Sequence, residues 1–234
     1  MDHPAAVITG AGRGIGRATA VELARRGFRL AVASRNPDEL AETLRLAGAP
    51  AGVAVPADVS KPADVDRLVR TAVERFGRVD VIVHCAGLAP AKSIVETGID
   101  EWHAVLDTNL SAAFYLCRAA WPVFERQRSG AVVLVSSLAA RDPLSGFAAY
   151  GAAKAGLQLF ALSAAREGEK IGVRVHTVAP GAVETAMFRQ LVTPDQWPPE
   201  KTLDPADVAR VIGQCAAGDL RYTSGEVIYV HKTL

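Results

Sequence analysis

The feature that most constrains this chain lies at its start. Ala5–Thr9 is an apolar run of strand length, and Gly10-Ala-Gly-Arg-Gly-Ile-Gly16 follows it without a gap. Beyond the glycines, Ile15, Ala18, Thr19, Leu23 and Ala24 recur at helical spacing until Gly27 ends the run. Strand, glycine turn and helix in direct succession commit the chain to a parallel βα architecture. Glycines let the backbone turn tightly and approach a ligand, and the unpaired amides at the helix start attract a pyrophosphate. The turn therefore predicts dinucleotide binding through Gly10, Arg13, Gly14, Ile15 and Gly16.

The second strand, at 29–33, leads into Ser34-Arg35-Asn36. An NAD site usually places a carboxylate about twenty residues after the glycines, where it holds the adenosine ribose 2′-hydroxyl. No acid stands at Ser34, Arg35 or Asn36. Arg35, with Arg13 in the glycine turn, can instead bind a 2′-phosphate through charge-assisted hydrogen bonds, so NADP(H) is expected over NAD(H). The alternative is that both arginines are solvated surface charges.

The chain continues as further strand and helix units. A strand at 52–55 and a helix at Pro62–Phe76 flank Asp58-Val59, where Asp58 serves either an adenine amine or a helix-capping turn before Ser60. A buried strand at 79–83 runs into His84-Cys85-Ala86-Gly87, whose small residues permit close approach to a cofactor. A helix over 100–128 carries Asn109 mid-run and Pro122, which is expected to bend it. Asparagine is a poor helix-interior residue, so its side chain has either a functional or a structural hydrogen bond. A strand at 131–135 ends in Ser136-Ser137, whose side chains point to opposite faces and so have different jobs. After it come a helix over 148–166, a strand at 173–178 and the turn Ala179-Pro-Gly-Ala-Val-Glu-Thr185. The aperiodic segment 186–203 reads as a mobile cover. A helix capped by Asp204 and a last strand at 226–230 complete the chain.

The helix over 148–166 contains Tyr150-Gly-Ala-Ala-Lys154, and residues four apart share a face. An ammonium about 4 Å from a phenol, at an effective dielectric near 20, favours phenolate by about 4 kcal/mol. That equals roughly three pKa units, enough to bring a phenol of pKa near 10 toward physiological pH as a general acid or base.

At 234 residues, 50% hydrophobic, the chain has length for a sizeable core and fits one large α/β domain over 1–234. A net charge of +1 offers no global attraction to nucleic acid or to a charged membrane. No apolar run approaches membrane-spanning length and Met1 to Pro4 carries no leader-like pattern, so a cytoplasmic setting and a small-molecule substrate are expected. The three cysteines lack metal-like spacing, and Cys117 and Cys215 read as small packing residues.

Taken together, these residues resemble the short-chain dehydrogenase/reductase family in its compact single-domain form. Thr9-Gly-Ala-Gly-Arg-Gly-Ile-Gly16 matches its cofactor turn, and Tyr150 with Lys154 matches its Tyr-x-x-x-Lys. The resemblance implies a Rossmann-type, doubly wound, mostly parallel seven-stranded sheet with helices on both faces. It also implies a catalytic set of Asn109, Ser137, Tyr150 and Lys154, an adenine-binding pair at Asp58 and Val59, and a nicotinamide-end segment of Pro180, Gly181, Val183 and Thr185. Where the family commonly has Asn-Asn-Ala-Gly, this chain has His84-Cys85-Ala86-Gly87, which alters any side-chain bond from the asparagine and leaves a backbone role at Cys85, Ala86 and Gly87. His176 replaces an asparagine and reads as structural, and the ending after Val230 departs from the usual Asp-Gly-Gly.

The implied activity is NADP(H)-dependent interconversion of a carbonyl and a secondary alcohol, with Tyr150 as general acid/base. Rival readings are a catalytically silent NADP(H)-responsive binding protein and an isomerase or lyase that keeps its nucleotide. Leu138, Leu144, Phe147, Met187, Phe188 and Trp197 form either an apolar substrate pocket or ordinary packing. The resemblance further implies a homodimer or homotetramer packed through the long helices, with Phe114, Trp121 and Phe160 either at that contact or in the core.

Overall fold

A computed structural model describes residues 3–232, so the first two residues read for a leader and the last two of the ending lie outside it. Seven strands form one sheet: β1 (Ala5–Thr9), β2 (Arg29–Ser34), β3 (Val53–Pro56), β4 (Val81–His84), β5 (Gly130–Val135), β6 (Val173–Pro180) and β7 (Val227–Val230). Their order is β3-β2-β1-β4-β5-β6-β7, and every pairing is parallel. The chain winds outward from β1 to β3, then returns to the middle and winds the other way from β4 to β7. The reversal between β1 and β4 opens a crevice at the carboxyl ends of those two strands, the usual ligand position in such sheets.

Both faces of the sheet are covered, which is why the strands read as nearly unbroken apolar runs. Side chains alternate between the two cores: Ala5, Val7, Ala31, Ile82, Val132 and Leu134 face one way, and Ala6, Ile8, Leu30, Val83 and Val133 the other. The first face packs on α3 (Pro62–Phe76), α5 (Ala112–Gln127) and α6 (Ala148–Glu169), through residues such as Leu68, Leu116, Phe124 and Leu157. The second packs on α1 (Gly14–Arg25), α2 (Pro37–Leu46) and α8 (Pro205–Ala217), through Leu23, Leu40, Val208 and Ile212.

Three departures from the sequence reading have local causes. Helix α2 was not anticipated: Asn36 caps it by accepting from the Asp38 and Glu39 amides, and Pro37 occupies its first turn. The long helical run begins with α4 (Ile99–Leu106) and widens into a π-type turn at Asp107–Ser111 before α5 resumes. Its hydrogen-bond pattern therefore breaks at Asn109, while Pro122 stands inside α5. The segment 186–203, expected to be aperiodic, holds the short α7 (Ala186–Arg189) and a bridge from Leu203 to Val183. It is tied down by the Arg189–Glu184 ion pair at 2.5 Å, by the Thr202 hydroxyl donating to Glu184 at 3.0 Å, and by Phe188 packed edge-on against Trp197.

Candidate active site

The glycine turn sits on the crevice with almost no room to spare. Gly10 has φ +64°, and a Cβ there would fall 2.6 Å from the Ala86 amide nitrogen, so β1 and β4 touch at their ends. A Cβ on Gly16 would fall 2.1 Å from the Gly10 carbonyl oxygen, which fixes the turn against the first turn of α1. Among the described residues no side chain caps α1 at Arg13 and no acid lies in its first turn, so its leading amides can meet an anion. Thr185, which caps α7, packs against Gly14, with Cγ2 3.3 Å from a Cβ built there. The turns carrying Gly14 and Thr185, far apart in sequence, thus meet at one place. These residues fit a dinucleotide: a tight backbone cradle, an uncapped helix start and a second turn closing over them.

The two serines after β5 divide as alternation predicts. Ser136 is buried, donates to the Lys154 carbonyl at 3.2 Å and accepts from Gln158 at 3.2 Å. Ser137 faces the Tyr150 phenol and accepts from the Ala139 amide at 3.1 Å. Lys154 is 3% exposed, with its Nζ donating to the Val135 carbonyl at 2.8 Å and standing 5.7 Å from the Tyr150 ring centre. Tyr150, Ser137 and Lys154 therefore converge beside the crevice.

Their electrostatics correct the sequence expectation. Burial disfavours charge, so the Tyr150 phenol is pushed above its ordinary value, with the Ser137 hydroxyl pulling the other way. Lys154 is lowered to about 8 by burial, opposed by the nearby Cys85. One ammonium donor goes to the Val135 carbonyl, and burial outweighs the other influences on the phenol, so its pKa is not lowered as the spacing alone suggested.

Asn109 is fully buried, and its amide is consumed by backbone. Nδ2 donates to the Leu88 carbonyl at 2.8 Å and to the Val105 carbonyl at 2.9 Å, while Oδ1 accepts from the Leu88 amide at 3.4 Å. Its side chain thus fastens the Ala86-Gly87-Leu88 strip to the π-type turn. His84 does a parallel job. Its Nε2 contacts the Thr108 carbonyl at 3.2 Å, which can only accept, so Nε2 carries the proton and Nδ1 accepts from the Thr9 hydroxyl at 2.9 Å. Burial chiefly, with Lys154 beside it, drives the His84 pKa down to about 3 and keeps the ring neutral. Cys85 has its thiol 4.0 Å from the Thr19 hydroxyl and is pushed up to about 12 by burial, an inert packing thiol at neutral pH.

Other sequence candidates fall into place unevenly. Asp58 Oδ1 accepts from both the amide and the hydroxyl of Ser60, at 3.1 and 2.7 Å, which closes a local turn ahead of Lys61, the residue at the N-cap of α3. Val59 is buried beside it. Pro180 ends β6, the Gly181 amide donates to the Val230 carbonyl at 2.9 Å, and Val183 is buried on the Leu203 bridge. His176 is buried against Thr223 at 3.2 Å, in keeping with a structural residue. Of the apolar candidates, Leu138 lies against Gly181, Met187 against Gly87 and Phe147 edge-on to Tyr150, whereas Leu144 is 70% exposed. Arg13 and Arg35 are exposed and make no ion pair among the described residues.

Two contacts were missed by the sequence reading. Glu39 from α2 lays its carboxylate on Gly12 of the glycine turn, with Oε2 2.4 Å from where a Cβ would stand. No acid stands at Ser34, Arg35 or Asn36, but one reaches the glycine turn from α2. Its signal was the helix-start pattern Asn36-Pro37-Asp38-Glu39, which turns the third helical residue back toward the preceding strand end. The other is Lys232, which donates to the Glu200 carbonyl at 2.6 Å, while His231 packs on Gly181, so residues 231–232 border the 186–203 segment.

The model of the family described as short chain dehydrogenase matches residues 4–196. An uncharacterized oxidoreductase of Staphylococcus aureus (strain N315) is 32% identical over 207 residues, 88% of each chain. The 3-oxoacyl-[acyl-carrier-protein] reductase FabG of Staphylococcus aureus (strain Mu50 / ATCC 700699) is 34% identical over 237 residues, 97% of this chain and 96% of that protein. Among solved structures, levodione reductase superposes with a TM-score of 0.90 at 26% identity, covering 97% of this chain and 96% of its own. With the parallel seven-stranded sheet, the glycine crevice and these likenesses in hand, the chain belongs to the short-chain dehydrogenase/reductase family and is an NAD(P)-linked oxidoreductase acting on a CH–OH or C=O group.

Proposed function

We propose that the protein is an NADP(H)-dependent oxidoreductase that interconverts a ketone or aldehyde and its alcohol, with Tyr150 as the proton donor and acceptor. The observation that carries this reading is the convergence of the Tyr150 phenol, the Ser137 hydroxyl and the Lys154 ammonium beside a backbone cradle that fits a dinucleotide. The bound nicotinamide supplies or accepts hydride. Ser137 and Tyr150 direct hydroxyl protons toward a carbonyl oxygen, and Tyr150, kept neutral by burial, gives up its proton as charge develops on that oxygen. An ammonium has three donors and Lys154 spends one on Val135, so two remain for the nicotinamide ribose hydroxyls and for the phenolate formed in turnover. Asn109 holds the Ala86–Leu88 backbone in place for that end of the nucleotide. Arg13 and Arg35, exposed and without carboxylate partners among the described residues, support binding of a 2′-phosphate.

Likeness to a 3-oxoacyl-[acyl-carrier-protein] reductase and to levodione reductase supports a carbonyl substrate. Leu138, Phe147 and Met187 would give it an apolar wall. The exposed Phe114, at 49%, packed edge-on against Phe160, supports association of two copies through α5 and α6, which sedimentation at micromolar concentration would show. The functional test is NADPH consumption across ketones, aldehydes, quinones and 3-oxoacyl thioesters. Turnover of at least one class with NADPH, at higher kcat/KM than with NADH, is expected. No turnover, or a preference for NADH, would refute the corresponding half of the proposal.

A further inference from the structure

The glycine turn is buried at Gly12 because Glu39 lies on it. A Cβ built on Gly12 would meet Glu39 Oε2 at 2.4 Å, Ser34 Oγ at 2.9 Å and Glu39 Cβ at 3.1 Å. The backbone around this contact is fixed from both sides. Asn36 caps α2 by accepting from the Glu39 amide at 3.4 Å, and Arg17 donates to the Gly12 carbonyl and, at 3.5 Å, to the Glu39 carbonyl. The carboxylate itself has no hydrogen-bond or ion-pair partner among the described residues. It packs on Gly12 beside Ser34, the last residue of β2, and so next in sequence to Arg13 and Arg35, whose guanidinium groups have no ion-pair partner among the described residues.

We propose that Glu39 sets nucleotide discrimination in this site, acting against the arginine pair. This rests on the dinucleotide reading given above and goes beyond it by naming what limits the preference. A 2′-phosphate carries close to two negative charges at neutral pH. A carboxylate packed on the same turn repels it and competes with it for the Arg13 and Arg35 guanidinium groups. Toward a 2′-hydroxyl the same carboxylate is a hydrogen-bond acceptor. Glu39 therefore holds the NADP(H) preference below what the arginines alone would produce and keeps NAD(H) usable.

The test is direct binding of NADPH and NADH, read by the fluorescence of the reduced nicotinamide, to the wild type, Glu39→Gln and Arg35→Ala. Glutamine keeps the volume and the packing on Gly12 while removing the charge. Glu39→Gln should tighten NADPH about tenfold, ~1.4 kcal/mol, and leave NADH unchanged or weaker. Arg35→Ala should move the ratio the other way. A structural role alone would weaken both nucleotides alike, because they differ only at the 2′ position. An unchanged ratio of the two Kd values in Glu39→Gln, with both nucleotides binding, would overturn the inference and leave the dinucleotide reading intact. Failure of the wild type to bind either nucleotide would overturn both.

Discussion

The two ends of the crevice are built by opposite means. At the glycine turn, the tightest contacts press backbone on backbone: Gly10 against Ala86 and Gly16 against Gly10. At the other end, Leu138, Phe147, Met187 and the 186–203 segment bring side chains, held by individual ion pairs and hydrogen bonds such as Arg189 to Glu184 and Lys232 to Glu200. Close-packed backbone leaves one geometry available, whereas side chains on tethered loops can be exchanged at small cost. The lesson is that the glycine half admits one backbone geometry, while the other half rests on side chains that can be exchanged one at a time.

The largest effect expected within that contrast is chemical. Tyr150→Phe should lower kcat by about three orders of magnitude while the Kd for NADPH changes less than about twofold, measured by single-turnover kinetics and nucleotide titration. Loss of nucleotide binding in that variant would mean the two ends are not separable. Next, Gly16→Ala should destabilise the protein by about 3 kcal/mol or more in urea unfolding, because its methyl group would collide with a backbone carbonyl. Wild-type stability with intact NADPH binding would show that the turn yields as the substrate side does.

A third test uses Lys154, whose folded-state pKa near 8 lies below its ordinary 10.5. The unfolded chain then binds more protons between these values, so stability from this residue rises as pH climbs from 8 toward 10.5 and is lost on acidification. Against Lys154→Met, the wild type should gain roughly 2–3 kcal/mol between pH 8 and 10, read as the difference of two unfolding series. A flat difference would mean that burial does not govern the ammonium. Last and smallest, Lys232→Met should raise KM for the carbonyl about threefold with kcat/KM for the nucleotide unchanged, a cost below ~1 kcal/mol for one exposed tether.

Apart from α2 and α7, the regular elements were legible because a parallel sheet covered on both faces writes itself as short apolar runs separated by helical periodicity. The adjacency of Tyr150 and Lys154 was legible for the same reason, since helical spacing is local. What Lys154 does was not, because the Val135 carbonyl that accepts its hydrogen bond is nineteen residues away on another element. Glu39 was hidden similarly: its helix start was written in Asn36-Pro37, but its contact with Gly12 is tertiary. The π-type turn went unseen because Asn109 bonds to Val105 within its helix and to Leu88 outside it, and the second partner is what locks the irregularity in place.

One imidazole has a consequence for the whole crevice. His84 accepts a hydrogen bond from the Thr9 hydroxyl of β1 and donates one to the Thr108 carbonyl of the π-type turn. Its depressed basicity keeps the ring neutral, and the carbonyl selects the tautomer that makes both bonds. The seam between the sheet's two halves is thereby latched at a set gap, and spreading it would strip two buried polar groups of their partners at once. A nucleotide arriving there finds its berth already cut to width, so little of its binding energy is consumed in shaping the protein around it.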